Sequence, residues 1–389
     1  MRFSIFLAKK HEVAGSIHYF MLSSFSLELL RIISMLMIIL HHFAVHVKFG
    51  YWTYNQDKIQ VEKHLLYFQS LGKIGVAIFV IIGAYFLVGK TFKSSRIINL
   101  LVLDLFYSTV IYFVFIFLKL PFPDALKNEN LFLPTVGVSS YWFVLSYMFI
   151  LLAMPALNIV IHHFSKRQLE YTIAVLGLFW TILPKLSVHF LGELDFYTWA
   201  LRPSDGIMFI FLYIIAAYIR LYPNKFSESF LFNLIATIIG FIIMYLSIII
   251  PIHCNPEKNF PLSKAMMDLH SPLVIFLAIV IFNTFKNINI GSNKFINYIS
   301  SSTFAVYLIH DNSLVRPLLW NFFDDTKHTD DILIFGLKTA VLILVICLLI
   351  DIVKRLLFGK LFDYISNRIG CKLDDIFKEK DPDKDICNE

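Results

Sequence analysis

Charge is what this 389-residue sequence has least of: Asp, Glu, Lys and Arg make up 16% against 58% hydrophobic residues, and the mean hydropathy is +0.70. Soluble domains carry about 25% charged residues. A soluble globular domain is therefore excluded, and the chain reads as an all-α, polytopic integral membrane protein. Cysteine is sparse too. Cys254, Cys347, Cys371 and Cys387 show no metal-ligand spacing, and only Cys254 falls on a predicted outer face, so neither a metal site nor a disulfide framework is expected. A P-loop, a dinucleotide glycine pattern, an internal repeat and an appended soluble domain are also missing. Any chemistry must then be intramembrane. The net charge of +6 does not point to nucleic acid, because the basic residues are spread among short connectors and the C-terminal tail. Near the start, Arg2, Lys9, Lys10, His11 and Glu12 interrupt any apolar core of signal-peptide length, and Met21 offers an alternative start.

What the chain has is apolar length. Segments able to span lie near 25–47, 70–89, 97–119, 141–162, 171–190, 206–222, 229–252, 270–285, 301–322 and 332–353, which predicts about ten transmembrane helices. They divide the chain into an N-terminal extension (1–24), a ten-helix membrane domain (25–357) and a charged tail (358–389), expected to be disordered from Asp374 onward. Lys90, Lys93, Arg96, Lys166, Arg167, Arg220 and Lys225 alternate with acidic loops such as Asp324, Asp325, Asp330 and Asp331. Both termini are thus expected on the cytoplasmic side of a cell membrane. One loop, read as external with Lys48, Lys58, Lys63 and Lys73, runs against this rule.

The first span, FSLELLRIISMLMIILHHFAVHV, carries Glu28, Arg31, His41 and His42, which are costly in hydrocarbon. At about 100° per residue, Arg31 and His42 fall within about 20° of one line and roughly 16.5 Å apart along the axis. Glu28 lies one turn before Arg31, so Glu28, Arg31 and His42 form a polar stripe, while His41 points elsewhere. The plain alternative is a snorkelling Arg paired with Glu28 and an unrelated interfacial His.

An acidic residue, an Arg three positions on and a His after ten intervening residues in the first membrane helix resemble the hallmark of the membrane acyltransferase-3 family. Other stretches extend the resemblance. FVIIGAYF is similar to the family's second-helix motif through Phe79 and Tyr85, with Gly83 and Ala84 where Ser and Gly are usual. The turn GKTFKSSRIIN resembles its basic segment, the opening Tyr141-Trp142-Phe143 and the closing Pro155 resemble its fourth helix, and Tyr213, Ala217 and Tyr218 weakly follow a sixth-helix pattern. Better matched is SSSTFAVYLIHDNSLVRPLLW, with Ser302, Thr303, Phe304, Tyr307 and His310.

The resemblance implies an acyl-CoA-dependent O-acyltransferase, most simply an O-acetyltransferase acting on a surface polysaccharide or lipid-linked sugar. Acetyl-CoA or another acyl-CoA would be the donor substrate, with no bound cofactor and no metal; membrane lipid would surround it and nucleic acid would not be a partner. Lys90, Lys93 and Arg96 would hold the donor phosphates, unless they serve only as topology signals. Arg31, fixed by Glu28, would line the donor route, and His42 would act as general base or as nucleophile. Asp104 would need Arg31 or Arg96 as partner. Trp142 would stack on a sugar or anchor at the interface, while Tyr307, His310, Asp311, Asn312 and Arg316 would line a wet cavity. Arg202 and Asp205 stand at an outer mouth. The rival reading is a transporter or flippase for a lipid-linked sugar, which also wants intramembrane charge but no catalytic His.

Overall fold

Helices are the element an apolar chain of this kind can use, because backbone groups in hydrocarbon must be satisfied within the segment. A computed structural model describes residues 24–47, 56–122, 141–186, 203–254, 266–288, 291, 293–323 and 331–377. Residues 1–23 of the expected N-terminal extension, Lys48, Arg202, the loop residues Asp324, Asp325 and Asp330, and the chain beyond Phe377 lie outside them.

Helices α1 (Ser24–His46) and α2 (Gln56–Leu87) form the central pair. Small residues on α2 allow the approach: a Cβ on Gly72 would run into the His41 side chain, and one on Gly75 would stand 2.7 Å from the Ser34 carbonyl oxygen. Around this pair come α3 (Ser94–Phe117), α4 (Trp142–His163), α5 (Lys166–Gly177) continued by a π turn (Leu178–Ile182), α6 (Asp205–Leu221), α7 (Phe230–Cys254), α8 (Pro272–Lys286), α9 (Lys294–Ser300), α10 (Thr303–His310), α11 (Val315–Phe322) and α12 (Ile332–Phe377). In α2, 72% of the apolar stretch is buried against protein, compared with 22% in α3 and 17% in α7. So α1, α2, α6 and α8 make the core, while α3, α4, α5 and α7 turn apolar side chains outward, as lipid-facing helices do.

A helix lies at each of the ten expected segments, yet only seven described helices are long and apolar enough to span. Helices α6 and α8, with 17 and 15 residues, are short and buried in the core. The ninth segment is not one helix. It breaks at Asp311–Leu314 because the Leu308 carbonyl, which would accept from Asn312 N–H in a continuous helix, accepts instead from the Tyr141 hydroxyl at 2.6 Å. Asn312 then donates to Tyr141 Oη at 2.7 Å, and its own Oδ1 accepts from Leu314 N–H at 2.9 Å. Pro155, expected to close α4, sits inside it, and the helix runs on to His163. Likewise α12 continues without a break past 357 to Phe377, so Asp374 belongs to a helix rather than to a disordered tail.

The ends of the bundle are defined by contacts. The start of α1 and the later part of α12 meet at the turn after α9, where Ser300 donates to Glu28 and Arg355 donates to Ser301 Oγ at 2.5 Å. The start of α1 and this part of α12 therefore share one end, called here the Arg31 end. The opposite end is the His42 end.

Candidate active site

Helix periodicity on α1 produces the expected stripe. Arg31 Nη1 donates to both carboxylate oxygens of Glu28 at 3.0 Å, and its guanidinium lies over the Phe86 ring, 5.8 Å from the centroid. Ser300 Oγ donates to Glu28 from across the bundle. The carboxylate thus has two donors, which a half-buried ion pair needs if it is not to cost stability.

About three turns further along α1, His42 meets the broken ninth segment. His42 Nδ1 lies 2.9 Å from His310 Nε2, and the ring centroids are 5.1 Å apart. His310 Nδ1 lies 2.6 Å from the Val306 carbonyl oxygen. A carbonyl only accepts, so His310 Nδ1 carries the hydrogen, and in the neutral ring Nε2 is then the acceptor. It follows that His42 Nδ1–H donates and His42 Nε2 keeps its lone pair. Asp311 Oδ1 stands 3.7 Å from His42 Nδ1 and is held by Arg316, whose Nε and Nη2 are both 2.9 Å from it. This carboxylate is placed to stabilise positive charge on the His42 ring. His41 instead directs Nδ1 to the Gln69 carbonyl oxygen at 2.8 Å, so it is spent on packing α1 to α2.

A narrow pocket of ≈ 50 Å³ opens beside His42, with Lys73, Phe79, Trp142 and Tyr307 in its lining. Lys73, counted from the sequence with the external loop although it lies within the expected 70–89 segment, is a correction to that loop. Helix α2 begins at Gln56, so Lys73 stands three residues before the midpoint of the Leu65–Leu87 span. Its ammonium lies 4.7 Å from the Trp142 centroid. For a half-buried lysine such a cation–π contact contributes about 0.5–2 kcal/mol.

Elsewhere the expected residues are scattered. Asp104 is fully buried, but neither arginine reaches it: Arg31 is taken by Glu28, and Arg96 donates to the Thr91 carbonyl oxygen at 2.9 Å and approaches Met154 Sδ at 3.9 Å. What Asp104 has is the Ser108 hydroxyl at 3.3 Å, one turn away on its own helix. Lys90 and Lys93 are exposed on the turn between α2 and α3. Asp205 begins α6, behind the Ser204 cap. Gly83 leaves room for the Tyr147 hydroxyl, which accounts for a small residue there without a catalytic role.

Sequence reasoning missed a second buried ionic group. Asp351 on α12 accepts from the Tyr107 hydroxyl at 2.6 Å and pairs with Lys354 and Arg355 at 3.0 and 2.7 Å. Those two basic residues lie just past the last expected span, 332–353; the signal was one acid in an apolar helix with cations three and four positions on. Missed too was Asp374, whose Oδ1 accepts from Ser94 N–H at 2.8 Å and so caps the start of α3.

Fold and site together define an integral membrane protein with a histidine centre inside the bundle. The acyltransferase-3 family model, described as an acyltransferase domain, matches residues 24–351. The chain belongs to this family and is a membrane acyltransferase. No curated protein and no solved structure matches it.

Proposed function

We propose that this acyltransferase moves an acyl group, most simply acetyl, from acyl-CoA at the Arg31 end to a hydroxyl of a surface polysaccharide or lipid-linked sugar at the His42 end. The observation that carries the reading is the His42–His310 contact, which uses up His42 Nδ1 and leaves Nε2 for the substrate. Among the described residues the His42 ring has no second hydrogen bond.

As general base, Nε2 takes the proton of the acceptor hydroxyl while the hydroxyl oxygen attacks the thioester carbonyl carbon. The carbon–sulfur bond then breaks, the thiolate of CoA takes the proton back from His42, and the products are an O-acyl ester and free CoA. Asp311 near Nδ1 favours the transient imidazolium. Lys90, Lys93 and Arg96 would hold the donor phosphates at the Arg31 end, where Arg binds phosphate bidentately and Lys as a point charge. The basic connectors support a cytoplasmic placement of that end and of both termini in a bacterial plasma membrane. The flippase reading gives no account of a histidine with one fixed and one free nitrogen.

The test is transfer of labelled acetyl from acetyl-CoA in membranes carrying His42→Ala or His41→Ala. His42→Ala should lose about 10²–10⁴-fold in rate, the usual contribution of a positioned base, with His41→Ala much less affected. Retained transfer in His42→Ala sinks the assignment.

A further inference from the structure

The pocket beside His42 holds two imidazoles and an ammonium, those of His41, His42 and Lys73, and among the described residues no carboxylate lines it. Lys73 has no carboxylate partner among the described residues; its contact is the face of Trp142. A half-buried cation beside the reacting histidine, with no counter-charge on it among the described residues, is placed to receive an anion.

Geometry narrows the choice of anion. Trp142 is the first residue of α4, next to Tyr141, which pins the break beside His310, so Lys73 and Trp142 stand at the His42 end. That is the acceptor's side in the reaction proposed above. With Lys73 lying on Trp142, the free space of ≈ 50 Å³ suits a few water molecules and not a sugar ring. A sugar can stack on that ring only by displacing the ammonium. A neutral sugar would leave Lys73 with neither the ring nor a counter-charge, whereas an anionic sugar supplies a carboxylate or phosphate oxygen in exchange for the ring face.

We propose that Lys73 and Trp142 form an acceptor subsite selective for a saccharide bearing an anionic group close to the hydroxyl that His42 deprotonates. This rests on the acyl-transfer reading, and it adds the chemical class of the acceptor.

The experiment titrates the full-length protein in lipid nanodiscs with methyl glucuronide, glucose 1-phosphate or methyl glucoside and follows tryptophan fluorescence. The chain has five Trp, so the response is assigned to Trp142 by its loss in Trp142→Phe. At least one anionic probe should bind about tenfold or more tighter than methyl glucoside, as a charge-assisted contact allows. Lys73→Gln should abolish that preference and Lys73→Arg should keep it. Equal binding of all three probes by the unaltered protein, or a preference that survives Lys73→Gln, overturns the subsite. Acetyl transfer from acetyl-CoA to the same probes separates the two ideas. Lys73-dependent anion binding without any transfer would overturn the acyl-transfer reading and leave the subsite standing. Carboxylate and phosphate are told apart by which anionic probe gains.

Discussion

The two ends of α1 are built differently. At the His42 end a chain of specific bonds runs from Val306 through His310 to His42, with Asp311 and Arg316 beside it and Tyr141 and Asn312 holding the break that presents them. Towards the Arg31 end, the expected cations Lys90 and Lys93 are exposed, and Arg96 turns to a backbone carbonyl and a methionine sulfur. Of the cations expected to serve the donor, Arg31 is the one with a fixed anionic partner among the described residues. Chemistry needs orientation to fractions of an ångström, while a multiply charged donor can be gathered by a looser set of cations acting at longer range. Substitutions at the first end should therefore act on turnover, and those at the second on donor affinity.

His310→Phe should give the larger effect of those that probe this contrast. Phenylalanine keeps the ring volume in a fully buried site, and the Val306 carbonyl remains satisfied within α10. The loss is the acceptor that fixes the His42 tautomer. Turnover should fall by about ten- to a hundredfold, as when a partner that orients a functional imidazole is removed, with KM for acyl-CoA nearly unchanged. A change confined to KM would break the comparison.

Arg31→Lys should come next. A planar fork holds Glu28 and a donor oxygen together; a lysine keeps the charge but loses the fork. Transfer from acyl-CoA should slow by at least about tenfold, a barrier change of roughly 1.4 kcal/mol. A snorkelling residue would tolerate the change, so near-normal turnover would return Arg31 to a topological role.

How much of this was legible beforehand depends on range. Arg31 and His42 share a line because of helix periodicity, a local property, and the outward turn of His41 toward Gln69 follows from the same arithmetic. The partner of His42 lies 268 residues away, and no periodicity carries that information. His310 could be singled out as polar in an apolar segment, but its bond to His42 had to come from the fold. Asp104 failed for the same reason, since a buried acid announces a need and not which neighbour meets it. Lys73 fell inside the expected 70–89 segment yet was counted with the loop, because lysines are counted as topology signals and because QDKIQVEKH, the first part of α2, does not read as a membrane helix. Lys354 and Arg355 fell just past the last expected span, although they pair with Asp351 inside α12.

The smallest effect sharpens the contrast most at the donor side. Asp374 Oδ1 occupies the Ser94 N–H, one of the free donors at the start of α3, the helix that also carries Arg96. The contact is tight, since a Cβ on Gly370 would stand 2.5 Å from Ser95 Cα. A carboxylate at this position stands where a donor phosphate would be attracted, by the helix start and by the neighbouring cations. Asp374→Asn removes the charge and keeps an oxygen able to cap the amide. If the donor phosphates dock on this turn, the variant should lower KM for acyl-CoA by about two- to fivefold, the factor that corresponds to about 0.3–1 kcal/mol of interaction with a helix terminus, with turnover unchanged. Steady-state kinetics against acyl-CoA at low and high salt reads both quantities, and the gain should shrink as salt screens it. An unchanged KM would mean that the phosphates bind away from α3, which would leave Arg96 to its backbone partner at Thr91 and shift the search for the donor site to Arg31 and the cations nearer to it.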